Sequence, residues 1–187
     1  MLDAALALLG ERRSLDFSLA EVADRAGYSR GMPTHIFGTR DEMIRQLVPH
    51  LHVRSGFLFG APDDRGSGID AVFCTAALLL DDSQEQADLT IAIHVLLAEA
   101  ASAASPFRAE VAKLNEAATD YIWRNLEAAV AKGEIAPLHC TKSTSIIVMA
   151  MVRGSLLQWL ADPAVPLATL RGELLSVLRS LFVKAGA

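Results

Sequence analysis

The segment from Ser18 to Phe37 constrains the fold more than any other part of the chain, because it specifies two short helices around a tight turn. Ser18 and Glu21 have the spacing of a capping box, which predicts a helix that begins at Leu19. Gly27 is placed to end this helix, since glycine adopts a left-handed conformation without steric cost. Between these ends, the apolar residues recur at helical spacing, at Leu19, Val22, Ala23 and Ala26.

A second helix is predicted to run from Ser29, as its cap, through Phe37. Pro33 is compatible with this helix only in or near its first turn, where a missing backbone donor has no cost. The short interval from Gly27 to Ser29 makes the pair a helix-turn-helix. In such a motif the second helix presents its first residues to base edges in a DNA major groove.

The run AEVADRAGYSRGMPTHIFGTRDEM, residues 20–43, resembles the DNA-binding head of TetR-family transcriptional regulators. The match covers about a quarter of the chain by motif, and the remainder fits by length and helical layout. It rests on Val22-Ala23, Ala26-Gly27, Tyr28-Ser29, Gly31, Thr34-His35-Ile36-Phe37, Gly38-Thr39 and Arg40-Asp41-Glu42-Met43. The resemblance implies an all-α protein, with a three-helix DNA-binding domain over residues 1–48 and a helical effector-binding and dimerisation domain over residues 49–187.

The resemblance also implies which residues contact DNA. Arg30, Gly31 and Met32 are expected at base edges, and Met32 there makes apolar contact. Ser29 belongs to the same set at the start of the second helix. Phosphate contacts are expected from Ser18, Thr34, His35 and Arg40.

This chain departs from the family pattern at several places. Thr34 replaces the usual aromatic residue and has a shorter reach, whereas Arg40 replaces a lysine and keeps the charge. The sequence starts at Met1, almost directly on the first helix, without the basic arm that many relatives carry. These departures leave two expectations open: weaker DNA affinity than the family usually has, or a sequence that lacks part of its N-terminus.

The charge pattern leaves a second function open. The chain carries a net charge of −5, and through Pro49 six arginines face seven acidic residues. That balance excludes a protein that coats nucleic acid indiscriminately, although a local DNA-binding face is still possible. The alternative is a helical interaction protein that keeps the head as a scaffold and has no sequence-specific DNA binding.

The rest of the chain is predicted to consist of helices, the first of them preceding the helix-turn-helix. A second capping box at Thr39 and Glu42 opens the helix that follows the head, and Pro49 is expected to kink or divide this helix. A capping pair, Ser83 and Gln86, is expected to start a helix in the body. The predicted helices outside the head span Leu2–Leu9, Ile69–Leu80, Ser83–Ser102, Ser105–Gly133, Lys142–Leu160 and Leu167–Lys184.

The last two helices carry more apolar surface than one core stripe needs. In TetR-like proteins this pair of helices forms a four-helix interface in a two-fold dimer, and a homodimer would read a palindrome-like operator in double-stranded DNA. The other interpretation is the internal core of a monomer. The expected interface residues are Ile147, Gly154, Leu157, Leu170, Leu174, Leu178 and Leu181.

The family places an effector cavity among the middle helices, and the expected effector is a small, largely apolar molecule. Candidate lining residues combine aromatic and flexible apolar side chains with a few polar groups, a composition that is also typical of ordinary core. They are Phe73, His94, Leu97, Trp123, Leu126, Met149 and Trp159. Together these features predict a TetR-like regulator, a repressor whose operator binding the effector releases.

Enzymatic, metal and membrane functions have little support in the sequence. The histidines and the two cysteines, Cys74 and Cys140, lack the spacing of metal ligands or of a nucleophilic triad, so no catalytic residue, cofactor or metal is expected. Hydrophobic residues make up 52% of the chain, but no uninterrupted apolar run approaches the roughly 18 residues of a membrane span. A cytoplasmic protein is therefore expected.

Overall fold

The computed structural model describes residues 1–59, 66–81, 84–162 and 164–182. Within these residues the chain is all α, as predicted, and no strand occurs. The capping pair Ser83 and Gln86 and the predicted helix end at Lys184 lie outside the described residues or side chains. The helices are α1 (Leu2–Arg12), α2 (Leu19–Ala26), α3 (Met32–Phe37), α4 (Arg40–Phe59), α5 (Ile69–Leu79), α6 (Gln84–Ala100), α7 (Arg108–Ala131), a 3-10 helix (Pro137–His139), α8 (Lys142–Ala161) and α9 (Leu167–Phe182).

The helices group into two compact units. The first unit comprises Met1–Ser55 and Ser83–Leu114, and the second comprises Gly56–Asp82 and Asn115–Ala187. Helices α4 and α7 are therefore each divided between the two units, and the chain also returns to the first unit at Ser83. The predicted boundary at residue 48 separates a DNA-binding domain from an effector-binding and dimerisation domain. It stays a prediction, because the two units are defined by packing and not by function.

The first helix of the helix-turn-helix forms where the sequence places it. Ser18 caps α2 through its side chain, and the carboxylate of Glu21 returns a bond to the Ser18 backbone, so the predicted capping box is confirmed. Val22 and Ala23 are buried on the inner side of α2. Gly27 ends the helix with φ 72°, a conformation that glycine adopts without penalty.

The second helix begins two residues later than predicted. Gly31, not Ser29, precedes α3, and no side chain caps its start. The carbonyl of Ser29 instead accepts a hydrogen bond from the Met32 amide at 2.9 Å, which closes a turn before the helix. Pro33 lies in the first helical turn and is buried, as the restriction on proline requires. Ser29 as helix cap was therefore a wrong prediction.

The core of the first unit is built from α1, α2, α4 and α6, together with Phe107, Val111 and Leu114. Helix α1 is longer than predicted and ends at Arg12, followed by Arg13 in a left-handed conformation with φ 52°. Helix α4 contributes four side chains with no exposed surface, at Met43, Ile44, Leu47 and Leu51. The head helices are thus anchored on one continuous apolar core.

Helix α4 continues through Pro49 rather than dividing there. At its start the Thr39 hydroxyl accepts a hydrogen bond from the Glu42 amide at 3.1 Å, as predicted. The Glu42 carboxylate accepts from Arg45 at 2.9 Å. The start of α4 is thereby fixed by local side-chain contacts.

In the second unit, α5, α7, α8 and α9 enclose a separate core. The start of α5 is held by residues from α7 and the turn after it: the Ile69 amide donates to Glu134 Oε2 at 2.8 Å, and the Gly68 amide donates to Asn125 Oδ1 at 3.3 Å. Gly68 has φ 91°, and a Cβ there would lie 2.4 Å from Glu134 Oε2. The backbone conformation therefore requires glycine, and a Cβ there would also displace the Glu134 carboxylate that accepts from Ile69.

Candidate nucleic-acid interface and effector site

Helix α3 presents a short exposed face in the first unit. Pro33 and Phe37 are buried on one side and anchor the helix to the unit. The remaining α3 side chains, together with the turn before the helix, are exposed: Arg30, Gly31, Met32, Thr34, His35 and Ile36. Six residues predicted to contact DNA thus lie together in this exposed segment: Ser29, Arg30, Gly31, Met32, Thr34 and His35.

Arg30 carries the most accessible charge of this face. Its side chain is 77% exposed, and its contact with Asp24 is loose, with Nη2 3.3 Å from Oδ2. An exposed ion pair of this kind contributes little free energy because water competes for both charges. Arg30 can therefore exchange Asp24 for a base edge or a phosphate at small cost.

The hydroxyl of Ser18, in contrast, is already hydrogen-bonded within the protein. Its hydroxyl accepts from the Glu21 amide at 3.2 Å and donates to Glu21 Oε2 at 2.8 Å. The backbone bond from Ser18, with the neighbouring Arg12 guanidinium, lowers the pKa of Glu21 to about 2. A permanent carboxylate at the start of α2 disfavours a phosphate at the same place.

Arg40 has a structural role that the sequence did not indicate. Its Nε donates to the backbone carbonyl of Phe17 at 2.8 Å, and its Nη2 donates to the carbonyl of Leu15. The guanidinium also lies over the Phe17 ring, 5.7 Å from the centroid. Since these contacts use the guanidinium, Arg40 positions the segment before α2, and the predicted phosphate contact is not supported.

Two exposed apolar residues of the head were missed. Tyr28 is 51% exposed in the turn, and Ile36 is 53% exposed on α3. The signal was present in the sequence, because Met32 and Ile36 are four residues apart and lie off the Pro33–Phe37 stripe. Both residues add apolar surface to the exposed face.

The second unit exposes an apolar face along α8 and α9. Ile147 and Leu157 on α8 and Leu181 on α9 are about half exposed, and Gly154 and Leu170 are partly buried. Leu174 and Leu178, however, are buried in the core of their own unit. These two belong to the protomer core rather than to a free interface, because they lie on the inward side of α9. Ile146 and Val177 are exposed and join the face instead.

The predicted effector residues do not form one cluster. His94 lies in the first unit, buried, with Nδ1 2.7 Å from the Thr90 carbonyl oxygen, and Leu97 is partly buried against the same core. Leu126 and Met149 are buried in the second core, against which Trp159 also packs. Trp123 lies beneath the ammonium of Lys142, 4.8 Å from the ring centroid.

Phe73 is the one predicted effector residue that lines a cavity described here. It contributes to an open groove of about 480 Å³ along α5 and α9 in the second unit. The guanidinium of Arg179 lies 5.5 Å from the centroid of the Phe73 ring. Apolar walls with charged side chains at hand are typical of small-molecule sites. The remaining lining residues are Ile69, Asp70, Cys74, Ala77 and Leu175.

Arg153 is a polar residue within this unit that sequence reasoning missed. Its Nη1 donates to Asn115 Oδ1, and burial lowers the pKa of the guanidinium to about 10. Among the described residues no carboxylate lies within ion-pair distance of it. A largely buried cation with a neutral partner leaves part of its charge uncompensated.

Helix α8 is also the one helix of the described residues that is long and apolar enough to cross a membrane by length and composition. The same composition arises in core helices of water-soluble folds, and Val148, Val152 and Leu156 of α8 are buried in the second core. The buried residues use the apolar character of α8 on its inward side, whereas Ile146, Ile147 and Leu157 leave apolar surface exposed.

Comparison with known proteins gives a partial sequence match to a curated regulator and a match in fold to solved structures. No family model matches the chain. The curated HTH-type transcriptional regulator BetI of Brucella canis is 33% identical over 101 residues, which cover 50% of this chain and 50% of BetI. The chain thus aligns with about half the length of this curated relative.

Solved structures match over nearly the whole chain. A Rhodococcus protein assigned to the TetR family of transcriptional regulators superposes with a TM-score of 0.83 at 21% identity, covering 96% of this chain and 94% of that one. The fold is that of TetR-family regulators. The protein SmeT, in complex with triclosan, has a TM-score of 0.76 at 23% identity, over 99% of this chain and 90% of SmeT. Another SmeT structure names it the repressor of the Stenotrophomonas maltophilia multidrug efflux pump SmeDEF. The TetR-like fold expected from the sequence is confirmed.

Proposed function

We propose that this chain is a sequence-specific DNA-binding transcriptional regulator whose helix α3 enters the major groove. The observation that carries the proposal is the exposed face of α3, held outward by the buried Pro33 and Phe37. A rigid, exposed second helix after a tight turn is the reading element of a helix-turn-helix. The partial identity to an HTH-type regulator supports the same function.

The residues of this face divide into two roles. Arg30, Gly31 and Met32 contact base edges: Arg30 through its guanidinium, Gly31 by allowing close backbone approach, and Met32 by apolar contact. Thr34 and His35 contact phosphates and fix the register. Arg40 acts indirectly, since its bonds to the carbonyls of Leu15 and Phe17 hold the segment that leads into α2.

The regulator acts as a homodimer through the exposed apolar face of α8 and α9. A single short reading helix contacts few base pairs, whereas two related by a two-fold axis bind a palindrome-like operator and roughly sum their binding free energies. The interface uses Ile147, Leu157 and Leu181, which are exposed in the protomer, with Gly154 allowing close helix approach. Burial of these side chains supplies the stabilisation.

The effector is a small, largely apolar molecule that binds in the second unit and releases the repressor from its operator. The groove at Phe73 offers such a molecule apolar walls, and SmeT, a protein of the same fold, is solved with triclosan. A shift of the equilibrium from 1:99 to 99:1 requires about 5.5 kcal/mol of differential binding between the two states. The effector must therefore bind the released state about 10⁴-fold more tightly.

Selection of bound duplexes from a random-sequence library tests the proposal. Enrichment of a palindrome-like sequence, bound tightly in the presence of competitor DNA, is the expected outcome, with log affinity falling linearly against log salt concentration. Arg30→Ala should relax base preference at one position of each half-site. Arg124→Ala, which removes an exposed arginine of α7 in the second unit, is the matched control and should leave binding unchanged.

One observation favours the alternative of an interaction protein without DNA binding. Several arginines of the head are already paired with carboxylates, Arg12 with Glu21 and Arg25 with Glu11 among them. Paired charges release fewer counterions on binding DNA. If the selection enriches no sequence while the protein remains a folded dimer, the alternative replaces the regulator.

A further inference from the structure

We propose that α3 recognises the methyl groups of thymine, so that the operator half-sites place thymines against Met32 and Ile36. The inference rests on the proposed function of DNA binding and specifies the base chemistry that the helix reads. It is drawn from the side chains on the exposed face, which are more apolar than base readout by hydrogen bonds would require.

Met32 and Ile36 share one side of α3 because they are one helical turn apart. They are 37% and 53% exposed. Neither can turn inward, since Pro33 and Phe37 already fill the buried side of this six-residue helix. The two side chains therefore stand permanently toward whatever α3 binds.

Tyr28 extends the apolar surface into the turn before α3. Its ring is about half exposed, and its amide donates to the carbonyl of Ala23 at 2.9 Å, which fixes the backbone of the turn. Arg30 is the cation of this surface, next in the chain to the helix start. Beside Thr34 and His35, the exposed face of α3 and its turn thus combines three apolar side chains with one guanidinium.

The chemistry of the major groove identifies what such a face can read. Guanine, cytosine and adenine present only hydrogen-bond donors and acceptors there, whereas thymine adds a C5 methyl group. A methionine or isoleucine side chain offers no hydrogen-bond partner to a donor or acceptor on a base edge. The base group then loses its bound water and gains no hydrogen bond in return. Contact with a thymine methyl removes apolar surface from water on both sides. Met32 and Ile36 therefore favour thymine over the other bases.

A protein partner fits this face less well. Stable protein interfaces bury roughly 800 Å² on each partner. Three side chains that are each only about half exposed supply much less than that area. A small apolar face with one cation suits the DNA major groove, which is bordered by phosphates and contains thymine methyl groups.

The test uses the duplex enriched by the selection described above. Three versions of the duplex are synthesised. The first carries thymine, and the second carries deoxyuridine in place of each thymine. The third carries 5-methylcytosine in place of cytosine at the positions that have no thymine. Deoxyuridine removes the C5 methyl and leaves every hydrogen bond of the base pair intact. Affinity should fall about fourfold for each contacted methyl, the equivalent of about 0.8 kcal/mol for one buried carbon.

Variants of the face assign the effect to named residues. Ile36→Ser and Met32→Gln should lower affinity for the thymine duplex and reduce the thymine-to-deoxyuridine ratio toward one. Val53→Ser, which alters a 75% exposed apolar residue of α4, is the control and should keep the ratio. Thermal unfolding of each variant shows that the fold is intact.

The outcomes separate this inference from the function beneath it. If no duplex is enriched, the proposed DNA-binding function fails and this inference falls with it. If a duplex is enriched but thymine and deoxyuridine versions bind equally, thymine recognition is overturned while the regulator stands. A drop on deoxyuridine substitution that Ile36→Ser and Met32→Gln leave unchanged also overturns it.

Discussion

The Nε of Arg40 donates a hydrogen bond to the backbone carbonyl of Phe17, 2.8 Å away. A further bond to the carbonyl of Leu15 and the stacking over the Phe17 ring make Arg40 a clamp between the start of α4 and the segment before α2. Residues 23 positions apart are thereby joined beside the reading helix. The clamp orients the helix-turn-helix on the core of the first unit.

Replacement of Arg40 tests the clamp. Arg40→Ala should lower the free energy of unfolding by about 1–3 kcal/mol, because it leaves two carbonyl acceptors without their charged donor. Arg40→Lys should recover only part of the loss, since an ammonium cannot reach both carbonyls with the same fork. Thermal and urea unfolding measure the effect. Unchanged stability with weakened DNA binding would restore the phosphate contact expected from the sequence.

The carboxylate of Glu21 makes the start of α2 sensitive to acid. The backbone bond from Ser18 lowers its folded-state pKa from 4.5 to about 2. Its contribution to stability is therefore complete above about pH 4.5 and is lost as the pH falls toward 2. Glu21→Gln should reduce the fall in melting temperature over this interval. Equal acid sensitivity in the variant would show that other carboxylates dominate.

The ends of α2 are decided by local chemistry, whereas the contacts of Arg40 depend on the fold. Ser18, Glu21 and Gly27 set the ends of α2 through neighbours in the sequence, so the pattern predicted them correctly. The structural role of Arg40 was not predicted because its partners, two backbone carbonyls, carry no sequence signature and are brought to it by the fold.

Apolar periodicity left a different ambiguity in the last helices. It identified the apolar residues of α8 and α9 but could not assign each side to the protomer core or to a partner. Leu174 and Leu178 therefore appeared among interface residues although they are buried in the second core. Leu157 and Leu181, read from the same pattern, are exposed. Side chains of one chemical type satisfy either role, and only packing separates them.

Gly68 should tolerate no side chain. Its φ of 91° and the 2.4 Å approach of a Cβ to Glu134 Oε2 predict that Gly68→Ala destabilises the second unit by about 1–3 kcal/mol. Gly172→Ala is the matched control: it lies in α9 with no atom within 4 Å of the added Cβ, and it should stabilise the helix by about 0.5–1 kcal/mol. Chemical denaturation measures both. Equal effects would contradict the role assigned to the contact with Glu134.

The exposed apolar face of α8 and α9 predicts how the proposed dimer can be broken. Ile147→Glu combined with Leu157→Glu places charges at two half-exposed positions, where the protomer tolerates them and a buried interface does not. Sedimentation should therefore show a folded monomer with weakened binding to the palindromic duplex. Val53→Glu, at a 75% exposed site in the first unit, should remain dimeric. A double variant that stays dimeric would place the interface elsewhere.

Leu178→Glu should instead unfold the second unit, because this side chain has no exposed surface in the protomer.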